Sequence, residues 1–252
     1  EIILSSKCLG SSCISSLVVD MIDYVGLNKV YIDGKDIKST MGIDIDYWFW
    51  KSDVLDFDKK ATVDFLLEKE KEIIESYPPG EDGGTDLPDS LTSRYSNYNF
   101  FKIDDPLTNK IQDHIKDNIK QCITTFNGFN KNIPTDDLWL LCWYNVLRKG
   151  EKINIHAHRF INELEKSFMS GHFTVQAENT NTNYLTICKS SNWAVKNIPG
   201  QLIIFPTYVP HYTDITNSEE TRISIAFDLY DNKQLANENF IEKGNCIKLQ
   251  LD

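Results

Sequence analysis

The chain carries five histidines, at 114, 156, 158, 172 and 211. In the stretch Ile153–His158, alternation puts Ile153 and Ile155 on one side and Asn154, His156 and His158 on the other. That is the period of an extended strand. Two imidazoles at i and i+2 on one strand face can reach the same metal ion. His211 lies far downstream, just past the apolar run Leu202–Phe205. A folded-over sheet can therefore bring a third imidazole to the same place. Three neutral nitrogens suit a first-row transition metal such as iron and leave coordination positions open for substrates. The plainer reading is that strand histidines are solvated or hydrogen-bonded surface groups, and on spacing alone it is the commoner outcome. His114 falls in a helical pattern and is expected at the surface or hydrogen-bonded. His172 shares a face with Ser170 and Thr174 and is expected to line the cavity without touching metal.

The second chemical feature is Arg222-Ile223-Ser224-Ile225-Ala226-Phe227. Read as a strand, it sets Arg222, Ser224 and Ala226 on one face and Ile223, Ile225 and Phe227 on the other. An arginine among small residues on a strand face is unfavourable unless it meets an anion. A guanidinium grips a carboxylate with two prongs, and Ser224 can add a third hydrogen bond. An anion held there would sit near a metal bound by His211. An arginine snorkelling from an edge strand is the alternative.

Together these residues resemble the 2-oxoglutarate/iron(II)-dependent oxygenase superfamily. That family carries His-x-Asp/Glu, a distal His and then Arg-x-Ser on a double-stranded β-helix. The corresponding residues are His156-Ala157-His158, then Pro199-Gly200 through Phe205-Pro206 leading to His211, then Arg222-Ile223-Ser224. More closely, the chain is similar to an oxygenase branch common in marine phage and bacteria. There a Trp-x-Asn-x3-Lys/Arg-Gly stretch precedes His-x-His, and Ser-Gly with an aromatic strand follows. The matches are Trp143-Tyr144-Asn145 with Lys149-Gly150, and Ser170-Gly171-His172-Phe173. Ser93-Arg94-Tyr95 with Tyr98-Asn99 also fits, so the resemblance spans about residues 46–230.

The resemblance implies Fe(II) held by His156, His158 and His211. It implies 2-oxoglutarate held through its distal carboxylate by Arg222 and Ser224, with Tyr144, Asn145 and Thr174 as further cosubstrate contacts. The implied partners are 2-oxoglutarate, O2 and a prime substrate, either a protein side chain or a small metabolite. The implied reaction couples decarboxylation to succinate with hydroxylation. Three departures stand out. His158 replaces the family's acidic ligand, so a three-histidine site and a two-histidine site completed by water are both open. Thr174 stands where a cosubstrate-binding tyrosine is common. Residues Arg159–Phe168 are a longer insertion than the pattern needs and are expected to form a lid.

A cupin dioxygenase or isomerase is the runner-up. Gly150, His156, His158 and Glu163 follow the spacing of the first cupin motif, with Glu163 as a carboxylate ligand. Arg222 and Ser224 have no role in that scheme. A metal-free jelly-roll binding or virion structural protein is a third reading, since a sandwich does not fix function. Metal content separates the third from the first two, and 2-oxoglutarate dependence separates the first from the second.

These residues need elements to position them. Residues 14–25 read as a helix with Ile14, Leu17, Val18, Met21, Ile22 and Val25 on one face, and residues 30–33 as a short strand. Residues 61–76 read as a second helix, ended by Pro78-Pro79-Gly80, with a Gly/Asp-rich loop over 79–89. A third helix begins at Asp105-Pro106, repeats Leu107, Ile111, Ile115, Ile119 and Ile123, and stops at Gly128. After Pro134 strands are expected at Leu138–Val146, Ile153–Ala157, Gly171–Ala177, Tyr184–Cys188, Leu202–Phe205 and Arg222–Leu229. This is an α+β pattern, a double-stranded β-helix or jelly-roll buttressed by N-terminal helices. Residues 1–45 form a helix-and-strand extension and 46–252 the oxygenase domain.

Composition sets the outer limits. With 252 residues, 41% hydrophobic, the chain can bury a sizeable core. Its formal charge of −11 disfavours a nucleic-acid partner. The six cysteines, at 8, 13, 122, 142, 188 and 246, form no CxxC pair, and no Asn-x-Ser/Thr acceptor occurs. Both features fit a reduced, cytoplasmic setting, and the resemblance implies that of a bacterial or virus-infected host cell. No apolar run is long enough to span a bilayer. Neither a phosphate-binding Gly-rich loop, a G-x-S-x-G elbow nor HExxH is present.

Overall fold

In a computed structural model, the chain is described at residues 22–24, 27–32, 47–128, 135–158, 169–185, 192–230 and 244–251. Helix α1 spans Lys59–Ser76, and the Asp58 side chain caps it by accepting from the Ala61 N–H. Helix α2 spans Pro106–Gly128. Asp105 accepts from the Leu107 N–H ahead of it, and Pro106 sits where a helix can spare an N–H. Ile111, Ile115, Ile119 and Ile123 are buried along one stripe, as their four-residue spacing requires.

The strands are β1 (Ile22–Tyr24), β2 (Leu27–Ile32), β3 (Tyr47–Lys51), β4 (Leu138–Leu147), β5 (Met169–Gln176), β6 (Asn181–Leu185), β7 (Asn192–Lys196), β8 (Leu202–Phe205), β9 (His211–Thr213), β10 (Arg222–Tyr230) and β11 (Cys246–Leu249). Eight of them form one sheet in the order β1-β2-β3-β8-β5-β10-β4-β11, and three form a second, β7-β6-β9. The pairings are antiparallel.

Strand β10 shows how sequence sets the layers. Ile223, Ile225, Phe227 and Leu229 are fully buried in the main core with Leu66 of α1 and the α2 isoleucines. The other face offers Arg222, Ser224, Ala226 and Asp228 to a cavity. Strand β6 of the small sheet reaches that face, where Thr182 meets Arg222 and Tyr184 meets His172. A second apolar cluster of Tyr184, Ile203, Phe205 and Val209 ties the small sheet to β8. Gly171 of β5 permits close packing. A Cβ there would lie 2.5 Å from the Phe227 ring and 2.8 Å from the Ile203 carbonyl oxygen.

Several expectations need correction. Of the helix expected at 14–25, only residues 22–24 are described. They form a strand, because their backbone pairs with Leu27–Lys29. The expected strand Ile153–Ala157 is an irregular segment with one isolated bridge, His156 to His211. Its N–H groups go to separate partners: Asn154 to the Gly84 carbonyl, His156 to His211 and His158 to Thr207. No continuous ladder can form, and Ile155 is left exposed. The strand expected at Tyr184–Cys188 begins earlier, at Asn181, and residues 186–190 lie outside the described residues. Cys8, Cys13, Glu163 and the proposed lid Arg159–Phe168 also lie outside them. Strands β3, β7, β9 and β11 went unread in the sequence.

Candidate metal centre and anion site

The Pro79–Asp89 loop and strand β9 together hold the histidine segment. Asn154 donates to Gly84, His156 and His211 exchange both backbone hydrogen bonds, and Ile153 N–H donates to Thr213 Oγ1. His156, His158 and His211 thereby converge, with one ring nitrogen of each within 4.8 Å of the others.

The tautomers can be read from the acceptors. His156 Nδ1 lies 2.8 Å from the Asn154 carbonyl oxygen and His211 Nδ1 lies 3.0 Å from that of Val209. Each Nδ1 must carry the proton and donate it, which leaves Nε2 as a bare lone pair. His158 Nδ1 lies 2.6 Å from Asp228 Oδ1. His158 Nε2 and His211 Nε2 are 3.4 Å apart. Two lone pairs facing each other at that distance repel unless a cation lies between them. Burial and the neighbouring imidazoles reinforce the neutral state. His156 is pulled down to about 4, first by burial and then by His158. His211 lies well below its ordinary range for the same kinds of reason. Neutral imidazoles are the metal-binding form, so the three residues fit a first-row metal ion.

The triad opens on a cavity of about 390 Å³, within the range of small-ligand sites. Arg222 lines it and is almost wholly buried. Its Nη2 donates to Thr182 Oγ1 at 3.4 Å, while Nε and Nη1 have no hydrogen-bond partner. Burial lowers its pKa to about 10, so it remains a cation at neutral pH. Ser224 and Ala226 continue the same face. His172 also lines the cavity. Its Nε2 is 2.6 Å from the Tyr184 hydroxyl, and its buried Nδ1 has no partner. Burial, then Arg222, pulls His172 down to about 3. Asn145 is on the wall, its Oδ1 accepting from Thr92 Oγ1 and Trp143 Nε1. Trp143 stacks on the His158 ring at 6.0 Å between centroids.

Two sequence expectations lie elsewhere. Tyr144 does not reach the cavity. It is on the opposite face of β4, and its hydroxyl donates to the Leu66 carbonyl of α1. Thr174 shares a face with His172 but is not among the residues that line the cavity. His114 is hydrogen-bonded to Ser52 Oγ, as expected. Ser93, Arg94, Tyr98 and Asn99 are buried scaffold. Arg94 donates to the Tyr77 and Ser90 carbonyls, and Asn99 to those of Leu140 and Asn245. Tyr95 alone of that group lines the cavity, at an opening it shares with Glu81 and Asp82. The residue that sequence reasoning missed is Asp228. Strand alternation from Arg222 puts it on the site face, but its contact with His158 crosses from sheet to loop.

No curated protein matches the sequence. Three solved structures are similar. A prolyl-4-hydroxylase from Pseudomonas putida is 11% identical over 73% of this chain and 92% of that one, with a TM-score of 0.48. A prolyl hydroxylase from Trichoplax adhaerens is 12% identical over 73% and 83%, with a TM-score of 0.46. A viral collagen prolyl hydroxylase from Paramecium Bursaria Chlorella virus-1 is 11% identical over 72% and 95%, with a TM-score of 0.42. At these TM-scores none of the three carries the family reading. That reading rests on the family described as "Putative 2OG-Fe(II) oxygenase", which matches residues 141–228. The matched span is narrower than the 46–230 expected from the sequence, yet it runs from β4 through the triad to the end of the Arg222 face. Over that third of the chain, the match and the three converging histidines make the segment similar to the 2OG-Fe(II) oxygenases.

Proposed function

We propose that this chain is a 2-oxoglutarate- and iron(II)-dependent hydroxylase in which His156, His158 and His211 hold the iron and Arg222 with Ser224 holds the distal carboxylate of 2-oxoglutarate. The observation that carries the reading is Arg222, a buried cation whose Nε and Nη1 are unpartnered in the cavity that holds the triad. A buried charge without a partner is strongly unfavourable, so the site is built for an anion. Iron bound at the triad supplies oxygen activation coupled to decarboxylation of 2-oxoglutarate to succinate.

The chain's own residues have other tasks. Arg222 orients the cosubstrate through its planar fork. Ser224 offers a hydroxyl beside it, and Ala226 leaves room on the same face. Asn145 holds Trp143 by a hydrogen bond, and Trp143 covers one side of His158. The two-sheet arrangement with the site between the sheets supports a double-stranded β-helix core. We keep 46–252 as the oxygenase domain and 1–45 as an extension whose β1 and β2 lengthen the large sheet through β3. Three buried free thiols, Cys122, Cys142 and Cys246, accord with a cytoplasmic setting. Among the described residues, no helix is long and apolar enough to cross a membrane. The prime substrate is a protein side chain or a small metabolite. The acidic opening at Glu81 and Asp82 disfavours a nucleic-acid backbone.

The test is Fe(II)-dependent succinate formation from 2-oxoglutarate without any added prime substrate. Slow uncoupled turnover that is lost in His211→Ala is expected. Succinate formation that continues unchanged in His211→Ala would sink the ligand assignment.

A further inference from the structure

We propose that Asp228 is the carboxylate of this metal centre, acting through His158 instead of ligating the ion itself. The inference rests on the triad reading above and extends it to a residue outside the ligand set.

His158 stands where most of the superfamily carries an acidic ligand, so three neutral imidazoles bring no negative charge to the metal. The missing charge lies one ring away. Asp228 Oδ1 is 2.6 Å from His158 Nδ1 and also accepts from Ser170 Oγ at 2.5 Å. Both side chains of the pair are largely buried, at 10% and 12% exposure, so solvent screens the contact little. The Asp228 carboxylate oxygen acts as an acceptor toward both Ser170 and His158. It therefore fixes the His158 proton on Nδ1 and turns the Nε2 lone pair toward the triad.

The three ligands are not held alike. Backbone carbonyls of Asn154 and Val209 anchor His156 and His211, and these are neutral acceptors that no side-chain change removes. Only His158 leans on a charged acceptor. A carboxylate behind a ligating imidazole makes that imidazole a stronger donor and fixes its plane. Asp228 gets there because β10 alternates: Arg222, Ser224, Ala226 and Asp228 share one face, with Ser170 opposite Asp228 on β5. One strand thus brings the anion-binding arginine at one end and the metal-tuning carboxylate at the other. Asp228 is a positioning residue, since it reaches the metal only through His158.

A consequence follows for His158→Asp, the change that would recreate the commoner ligand set. In this chain it would set a second carboxylate against Asp228. Two carboxylates at such range repel each other. The substitution alone should weaken the site, and adding Asp228→Asn should recover part of the loss.

Air-free titration of Co(II) into the full-length, metal-free protein, followed by calorimetry and visible absorption, tests the proposal. Asp228→Ala should bind Co(II) about 10- to 100-fold more weakly. Asp228→Asn keeps an acceptor without the charge, so its loss should be smaller, and both variants should show shifted ligand-field bands. His158→Asp with Asp228→Asn should bind more tightly than His158→Asp alone. Wild-type affinity and an unshifted spectrum in Asp228→Ala would overturn the role given to Asp228. Asp228→Asn is nearly isosteric, so it decides the matter on the same readouts if Asp228→Ala fails to fold. Failure of the wild type itself to take up Co(II) would instead overturn the triad reading beneath it.

Discussion

Arg222 shows what one residue can commit a site to. Its guanidinium is buried, stays charged at neutral pH and leaves Nε and Nη1 unpaired. Truncating one partner of a buried charge pair typically costs about 2–5 kcal/mol, much of it from the group left alone. Arg222→Ala should therefore weaken 2-oxoglutarate binding at least roughly tenfold, about 1.4 kcal/mol, while metal binding survives. Arg222→Lys should recover only part, since a point charge lacks the planar fork. Calorimetry with the Mn(II)-loaded protein reads both effects, and equal affinity in wild type and Arg222→Ala would remove the clamp. That Arg222 and Ser224 share the cavity face was legible because period-two alternation survives in a real strand, β10. The same rule, applied to β4, puts Trp143 and Asn145 on the cavity side and so turns Tyr144 away. Tyr144 pairs with the α1 backbone for that reason. Asp228 obeys the alternation too, yet its meaning depends on a loop histidine that no strand period can place.

At the scale of elements, the histidine segment is where reading and structure part. Its alternation suggested a strand, but it is tied at single points to the 79–89 loop, to Thr207 and to β9. The histidines converge through a different element from the one expected, because the bridge to His211 reproduces locally what a ladder would have done. Burial favours the neutral form of His156 and of His172 on β5. His156 is held near 4 and His172 near 3, in both cases mainly by burial. The unfolded chain has histidines at about 6.5, so above that pH neither state binds the proton and these groups add no pH dependence. As pH falls below 6.5, the unfolded chain takes up protons that the fold refuses. Stability then drops by about 1.4 kcal/mol per pH unit for each such group, down to its folded value. Urea unfolding of the metal-free protein should show a lower midpoint at about pH 5 than at about pH 7. The drop should be smaller in His172→Gln. An identical pH dependence in wild type and variant would show that His172 is not refusing a proton. The long helices, by contrast, were readable nearly to their ends, since a four-residue apolar stripe and a capping Asp act without help from distant chain.

Across the whole molecule, the α+β order of helices before strands was visible in the sequence. The division into eight-stranded and three-stranded sheets was not. Strands of three to five residues such as β3, β7, β9 and β11 carry too few residues to show a period, and only their neighbours define them. The chain's charge is also unevenly placed relative to its site. The cavity's buried floor is the Arg222 cation, whereas its opening carries Glu81 and Asp82 on a molecule of net charge −11. A dianion bound for Arg222 must first cross a repulsive field, and the guanidinium attracts it only at close range. Such a field is screened over roughly 10 Å at 0.1 M salt. The association rate of 2-oxoglutarate should therefore rise with ionic strength, the reverse of electrostatic steering. Stopped-flow binding to the Mn(II) form across a salt series reads this directly, and a rate that falls with salt would refute it. Entry would then be slowest in dilute buffer, so the molecule's overall charge would act as a kinetic brake on any dianion that the buried Arg222 cation attracts.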